Sequence, residues 1–295
     1  MTRHDRWLVW LCLAPTVVLL SVLMYYPMIG TVIESFHQTS FIDPEPKFAG
    51  WALYEKVLSS RDFPEIVRNS LLWTVGVVAL QNAIGLGVAL LLNVGLRGQG
   101  ILRALVMLPW VLPGVVAAIL WRFMYDPQLG LINSVLLRFG LIENNAAWLA
   151  DSGTAMAAVI VAAVWKGFPF STLIFLAALQ NVDREQLEAA TIDGAGPFRR
   201  LVDVILPSIR SVVLVNIVLT TILTFNYFDM VWVLTRGGPQ NATHIFPTKI
   251  FETGFGQFRF GEAATYGVFS ILVLVVLVGL YVLLQRASAE RRRTA

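Results

Sequence analysis

Residues Glu185–Pro207 read EQLEAATIDGAGPFRRLVDVILP, and long apolar segments flank them on both sides. The stretch is polar and helix-prone. Asp183 and Gln186 have capping-box spacing, which predicts a helix starting at Arg184. Gly194, Gly196 and Pro197 supply its C-cap and its stop. A second short helix is expected from Phe198, with Phe198, Leu201, Val202 and Ile205 on one face and Arg199, Arg200 and Asp203 on the other. Pro207 is expected to close it. Ala189, Ala190 and Ala195 are small enough to allow close approach. A charged helical piece between such flanks has been folded out into water, either as a solvated loop or as a contact surface.

The flanks set the fold class. The chain of 295 residues is 57% hydrophobic and 14% charged, with a mean hydropathy of +0.69. A soluble domain carries about 25% charged residues. A core of this size cannot hide that shortage, so lipid must cover the remaining apolar surface. Six stretches reach the roughly 20 residues needed to cross a bilayer: Trp7–Ile29, Asn69–Val94, Ile101–Met124, Thr154–Gln180, Ser211–Leu234 and Thr265–Gln285. Lipid offers backbone amides no partners, so these are read as helices. The alternating pattern of a membrane barrel is absent. The expectation is an all-α integral membrane protein with six transmembrane helices in one domain, 1–295, and a cytoplasmic loop at 181–210. The first stretch has a basic start but no clear small-x-small site before Tyr25-Tyr26-Pro27, so it is kept as a span rather than a cleaved leader.

Charge sets the expected orientation. With the N-terminus inside, 12 of the 22 Lys and Arg residues fall on inner segments and 8 on outer ones; Arg122 and Lys166 lie within spans. The excess predicts that both termini and Glu185–Pro207 face the cytoplasm. The Arg291-Arg292-Arg293 run then anchors topology. The net charge of +3 fits this asymmetry. It does not indicate nucleic acid, because no basic patch is interleaved with exposed aromatic residues. Cys12 is alone, so it forms no internal disulfide or thiolate metal site.

The outer loop Gly30–Arg68 carries Phe36, Phe41, Pro44, Pro46, Trp51 and Tyr54, enough for a small packed cap. Glu252 and Glu262 flank Lys249 and Arg259 in another outer segment, as a solvated charged face or a docking surface. Two spans carry breaks. Leu108-Pro109-Trp110-Val111-Leu112-Pro113-Gly114 opens the third, and Lys166-Gly167-Phe168-Pro169-Phe170 interrupts the fourth. Proline removes an amide donor and clashes with the carbonyl four residues back. Freed backbone at that depth is tolerated against protein or a wet cavity. A packing kink and a cavity wall both remain open for these positions.

The loop resembles the signature of permease subunits of binding-protein-dependent ABC importers: EAA, three residues, Gly, nine residues, Ile, one residue, Leu-Pro. This chain has Glu188-Ala189-Ala190, Gly194, Val204 and Leu206-Pro207, so every spacing fits, with Val in place of Ile. The resemblance runs from Pro15 to about Gly261. Trp165–Gln180 and Leu234-Thr235-Arg236-Gly237-Gly238-Pro239 look like the sugar branch, near the larger maltose permease and the first permeases of trehalose and glycerol-3-phosphate importers.

The resemblance implies a type I importer permease fold in a bacterial inner membrane. It implies a heterodimer with a second, unlike permease, two ATPase subunits and an external solute-binding protein. In such a machine the loop is a coupling helix seated in the ATPase, which assigns ATPase coupling to Glu188, Ala189, Ala190, Asp193, Gly194, Ala195 and Pro207. The chain has no Walker-type phosphate loop. No cofactor or metal is expected on it; ATP and Mg belong to the ATPase partners. The resemblance also places the substrate path at Trp110, Gly114, Ala163, Lys166, Gly167, Phe170, Thr220, Thr224 and Tyr227.

The residues agree in part. A ring can stack on a sugar face, hydroxyls can bind its OH groups, and Lys166 is costly in lipid and should face water or a partner. Lys166 could meet a sugar, meet a phosphate or pair with Asp229. Core packing for Trp110 and back-bonding for Thr220 and Thr224 stay open beside ligand contact. The maltose pattern is richer in Asn and Ser than Ala163, Lys166 and Phe170, which argues against maltose as cargo. Two other classes compete. A stand-alone ion-coupled transporter needs mid-span carboxylates, for which Asp229 is the one candidate. A membrane enzyme needs a catalytic cluster, and His4, His37 and His244 are scattered.

Overall fold

The computed structural model describes residues 3–41, 45–95 and 97–293, with side chains from Leu11 to Leu283. Pro44 and the side chains of Arg3, Arg6, Arg286 and Arg291–Arg293 lie outside the described residues. The helices are α1 (Arg3–Leu20), α2 (Tyr26–Glu34), α3 (Ala52–Leu58), α4 (Asp62–Asn93), α5 (Gln99–Val111), α6 (Gly114–Met124) and α7 (Leu131–Arg138). They continue with α8 (Ala155–Leu179), α9 (Arg184–Ile192), α10 (Pro197–Arg200), α11 (Leu206–Phe225), α12 (Phe228–Thr235), α13 (Phe246–Phe251) and α14 (Phe260–Arg293). One two-stranded antiparallel ribbon pairs β1 (His37–Gln38) with β2 (Lys47–Phe48). Among the described residues, five helical runs are long and apolar enough to cross a membrane, or six if α5 and α6 form one bent span.

The prolines explain where the helices depart from the expected stretches. The first run continues past Ile29 to Glu34, because a π turn at Ser21–Tyr25, closed by Tyr26 N–H on the Ser21 carbonyl, absorbs the donor missing at Pro27. A second π turn at Leu201–Ile205, closed by Leu206 N–H on the Leu201 carbonyl, does the same for Pro207. Pro207 therefore closes nothing: Pro197–Phe225 is one helical run of 29 residues.

Pro169 does not interrupt the fourth stretch either. Helix α8 runs through it, with Pro169 buried and α5, α6, α11 and α12 packed along the helix. The Leu112–Pro113 step does break a helix, bending α5 against α6 by 94°. Leu112 is extended (ψ 138°), the conformation a following proline imposes. The fifth stretch, expected as Ser211–Leu234, is two helices. Here α11 ends at Phe225 because Asn226 Nδ2 takes the Ile222 carbonyl (2.9 Å) and Trp73 Nε1 takes the Thr224 carbonyl (2.9 Å). Helix α4 starts earlier than Asn69 because Ser60 Oγ accepts the Phe63 N–H (3.2 Å).

The chain divides into two compact units. The first comprises Met1–Phe63 and Lys249–Val275. Its segment from Ser35 to Val57 is packed: Leu53, Tyr54 and Val57 are buried, the Phe36 ring lies 5.3 Å from Trp51 and 5.2 Å from Tyr54, and the Ser35 and Tyr54 hydroxyls are 2.6 Å apart. The charged residues here are ion-paired, and two of them, Lys249 and Glu262, are largely withdrawn from solvent. Lys249 is 7% exposed and bonded to Asp62 (3.2 Å) and Glu252 (3.1 Å), while Glu262 holds Lys56 (2.8 Å) and Arg259 (3.0 Å). Asp62 and Lys56 come from the segment around α3, which spacing within Lys249–Glu262 alone could not show.

The second unit comprises Pro64–Thr248 and Val276–Ala295. One core gathers Trp73, Val77, Ala117, Ala118, Trp121 and Val159 with Met230 and Val231. Another, toward the Glu185–Pro207 loop, gathers Ala89, Leu92, Phe175, Leu176, Leu179 and Ile209. Helix α8 is central to both. Helices α4 and α8 approach so closely at Gly85 that a Cβ there would stand 2.7 Å from Ser171 Cβ and 3.1 Å from the Thr172 nitrogen.

Candidate functional site

The second unit holds a cavity of about 300 Å³ lined by Val77, Gln81, Trp110, Ala163, Lys166, Gly167, Phe170, Thr220, Leu223, Thr224 and Tyr227. Eight of the nine residues expected on a substrate path are in that wall. The ninth, Gly114, adjoins it: a Cβ there would stand 3.3 Å from the Tyr227 hydroxyl and 3.0 Å from Asp229 Oδ2. These residues come from α5, the start of α6, α8, α11 and the α11–α12 break. The 94° bend places Trp110 at the end of α5, beside α8.

Trp110 is anchored at two points. Its ring stacks on Phe170 (centroids 5.9 Å apart, planes at 26°), and its carbonyl accepts from Lys166 Nζ at 3.4 Å. Lys166 and Phe170 are one helical turn apart on α8, so a single face of that helix grips both the ring and the backbone of one residue. The carbonyls in the last turn of α5 lack helical donors, and a cation there also meets the negative end of the helix dipole. No pairing of Lys166 with Asp229 within 4.0 Å is present among the described residues. Trp110 still exposes 45% of its surface. It is therefore not sequestered in a core.

The far wall is polar. Thr220 Oγ1 back-bonds to the Asn216 carbonyl at 2.7 Å and also accepts from Asn82 Nδ2 at 3.2 Å, so local back-bonding and a wider network are both real. Asn216 Nδ2 donates to Asn82 Oδ1 (2.7 Å) and to Ser171 Oγ (3.0 Å), and Gln81 Nε2 donates to Ser171 Oγ (3.2 Å). Gln81, Asn82, Ser171, Asn216 and Thr220 thus tie α4, α8 and α11 together. Among the described residues, the Tyr227 hydroxyl has no hydrogen-bond partner. An unpaired buried hydroxyl costs about 1–3 kcal/mol, which a ligand's polar group can recover. The arrangement offers a ring platform, one ammonium and several hydroxyl and amide groups. Ring faces beside hydroxyl and amide groups are the chemistry that complements a polyhydroxylated solute. Sequence reading missed Gln81, Asn82, Ser171 and Asn216. Their available signal was the Gln81-Asn82 pair and Asn216 in otherwise apolar runs.

The Glu185–Pro207 loop lies at the other end of α11. Asp183 caps α9, its carboxylate accepting the Glu185 N–H at 2.9 Å, and the helix begins at Arg184. Gly194 has φ +78°, the left-handed turn a C-cap requires. Arg200 Nη1 donates to Thr191 Oγ1 (3.2 Å), which holds α10 back against α9. Glu188, Ala189, Asp193, Gly194 and Pro207 are exposed, and Ala190 and Ala195 are half-buried. The apolar side chains of Ile192 and Phe198 are 86% and 78% exposed. Among the described residues, no group of three or more His, Cys, Asp or Glu side chains could hold a metal ion.

Comparison with known proteins places this architecture. Residues 81–294 match the family described as the binding-protein-dependent transport system inner membrane component. The chain is 35% identical to the trehalose/maltose transport system permease protein MalF of Thermococcus litoralis, over 96% of this chain and 94% of that protein. It is 31% identical to the sn-glycerol-3-phosphate transport system permease protein UgpA of Yersinia pestis, over 97% and 95%. Among solved structures, a chain of a bacterial ABC transporter that imports the acidic polysaccharide alginate superposes with a TM-score of 0.82 at 22% identity, covering 96% of each chain. The fold is thus that of ABC importer permeases, and the chain belongs to the family of inner membrane components of binding-protein-dependent transport systems.

Proposed function

We propose that this chain is one permease subunit of an ATP-driven importer whose cargo is a sugar, of di- or oligosaccharide size. It forms the path with a second, unlike permease, receives cargo from an external solute-binding protein, and docks Glu185–Pro207 on an ATPase subunit. Both termini and that loop face the cytoplasm of a bacterial inner membrane. ATP and Mg are bound by the two ATPase partners.

The cavity carries this reading. It joins the stacked Trp110 and Phe170 rings to the polar groups of Thr220, Thr224 and Tyr227 on one wall. The ring faces take the apolar face of a pyranose, and the hydroxyls take its OH groups. The named cargo of the Thermococcus litoralis relative, trehalose or maltose, is of that class. The exposed Ile192 and Phe198 support the docking role, because apolar side chains on a polar loop favour a covering partner. ATP binding would then close the ATPase pair and shift the permease between two rigid states. Lys166 favours one second reading, a glycerol-3-phosphate-type importer, since its ammonium lines the cavity.

The test is binding-protein-stimulated ATP hydrolysis by the assembled importer in proteoliposomes, screened with trehalose, maltose, alginate oligosaccharides and sn-glycerol 3-phosphate. Stimulation by a disaccharide or oligosaccharide supports the first reading, and stimulation by sn-glycerol 3-phosphate alone supports the second. No stimulation by any of them refutes both.

A further inference from the structure

Gln81 is the best-placed polar group that neither the loop motif nor the nine expected path residues include. It sits in the middle of α4 and is 6% exposed, yet it belongs to the cavity wall. Its Nε2 is committed to Ser171 Oγ at 3.2 Å. Its Oε1 lies against Gly167 on α8: a Cβ on Gly167 would fall 2.3 Å from that oxygen. Among the described residues, Oε1 receives no hydrogen bond. Exchanging the two amide atoms still leaves one end on Ser171 and the other beside Gly167, but as a donor in place of an acceptor; the acceptor role follows from Nε2 facing Ser171. A largely buried primary amide with one end unpaired carries a desolvation cost that a hydroxylated solute can relieve.

Gly167 then has a reason to be glycine. Any larger residue would expel the Gln81 amide from this position. Nothing in helix geometry asks for glycine here, since α8 is regular on both sides. The Ser171 hydroxyl is also held by Asn216, so the amide is fixed by a shell that persists when Gln81 is replaced.

We infer that Gln81 is a specificity-determining residue of the cavity, its amide accepting a hydrogen bond from one hydroxyl of the sugar, with Gly167 kept bare to admit it. This rests on the reading of the chain as a sugar importer permease.

The experiment measures uptake by the assembled importer in proteoliposomes. Trehalose, maltose and sn-glycerol 3-phosphate are the cargo probes, and monodeoxy trehaloses or maltoses are the analogues. Gln81→Met keeps length and packing while removing the amide. It is expected to raise the KM for the sugar about tenfold, roughly the worth of one buried hydrogen bond, with a smaller change in kcat. In the parent importer one deoxy sugar loses about the same factor, and in Gln81→Met that analogue loses nothing further. Gly167→Ala is expected to reproduce the KM rise by displacing the amide, and it carries the test if Gln81→Met does not assemble. An unchanged KM, or an equal loss for every deoxy analogue in the variant, overturns the inference. Absence of uptake of all three probes by the parent importer overturns the underlying reading and the inference with it.

Discussion

Gly194 permits a perturbation whose cost can be worked from the backbone alone. Its φ is +78°, and a Cβ placed on it would meet nothing within 4 Å. A substitution there suffers no steric conflict with neighbours, only the intrinsic penalty of the left-handed region. For an L-residue that penalty is roughly 1–2 kcal/mol, which lowers the population of the native turn by roughly 5- to 30-fold. Asn visits the region more readily and should cost least, Ala more, and β-branched Val most. Pro is a separate case. It locks φ near −65° and removes the N–H that Gly194 gives to the Thr191 carbonyl at 3.1 Å.

The turn sets how α9 returns against α10, so its loss should loosen the loop and leave the cores around Trp73 and Phe175 intact. The expected result is a graded fall in cargo moved per ATP hydrolysed, in the order Asn, Ala, Val, Pro, with unchanged assembly and near-unchanged thermal unfolding. The assay is paired uptake and hydrolysis in proteoliposomes. A constant ratio across the series would refute the coupling role. A large drop in unfolding temperature would refute the claim that the turn is local.

Three further outcomes follow from the packing. Gly85→Ala should destabilise by about 1–3 kcal/mol, as an overpacked core does, because the new Cβ would stand 2.7 Å from Ser171 Cβ; the double variant with Ser171→Gly should recover part of the loss in thermal unfolding. Lys166→Met should free the Trp110 carbonyl and disturb the ring stack on Phe170, weakening uptake of neutral and anionic cargo alike, with Lys166→Arg retaining more; selective loss of anionic cargo alone would show instead that the ammonium reads charge directly. Burial acts to lower the pKa of Lys249, but hydrogen bonds and charge from Glu252 and Asp62 outweigh it and hold the group above the usual lysine value. A cation whose folded pKa is raised adds stability that is complete below its unfolded pKa and is lost as pH rises through the folded one. The unfolding-temperature gap between the parent and Lys249→Met should therefore persist at neutral pH and close only in strongly alkaline buffer.

What was legible in the sequence had local causes. The cap at Asp183 and the stop at Gly194 depend on a few neighbouring residues, and both lie where spacing put them, although Asp183 takes the Glu185 N–H and not that of Gln186. Proline was harder to read. Pro113 breaks a helix, whereas Pro27 and Pro207 are absorbed by π turns and Pro169 by a packed, regular helix. The missing donor is the same each time; what differs is whether a widened turn or neighbouring helices take up the strain. Sequence alone does not contain those neighbours. The cavity residues were expected from family resemblance, and their meeting in one wall requires the bend at Leu112–Pro113. Gln81, Asn82 and Asn216 escaped because amides in an apolar run read equally as interhelical glue, and in part that is what they are.

The continuity of the run from Pro197 to Phe225 bears on how force could reach cargo. The end of the loop motif, Val204 and Leu206-Pro207, and the cavity residues Thr220 and Thr224 lie on that run, in one unit. Leu206 and Thr220 are separated by 14 residues, about 21 Å of helix. Beyond Pro207 no proline or glycine lies inside it, and such a rod passes displacement along its axis with little loss. Its one irregular place, the π turn at Leu201–Ile205, lies at the loop end, where it can adjust docking without softening the rod. A closed break beside Pro207 would have put a hinge between engine and cavity; the absorbed proline removes it. Inserting a hinge is therefore the informative insult. A Gly-Gly pair at Val212-Val213, between loop and cavity, should uncouple hydrolysis from uptake even though neither residue belongs to the loop motif or lines the cavity. Full uptake in that variant, with normal assembly, would mean that displacement reaches the cavity by α4 or α8 instead, and the rod argument would fail.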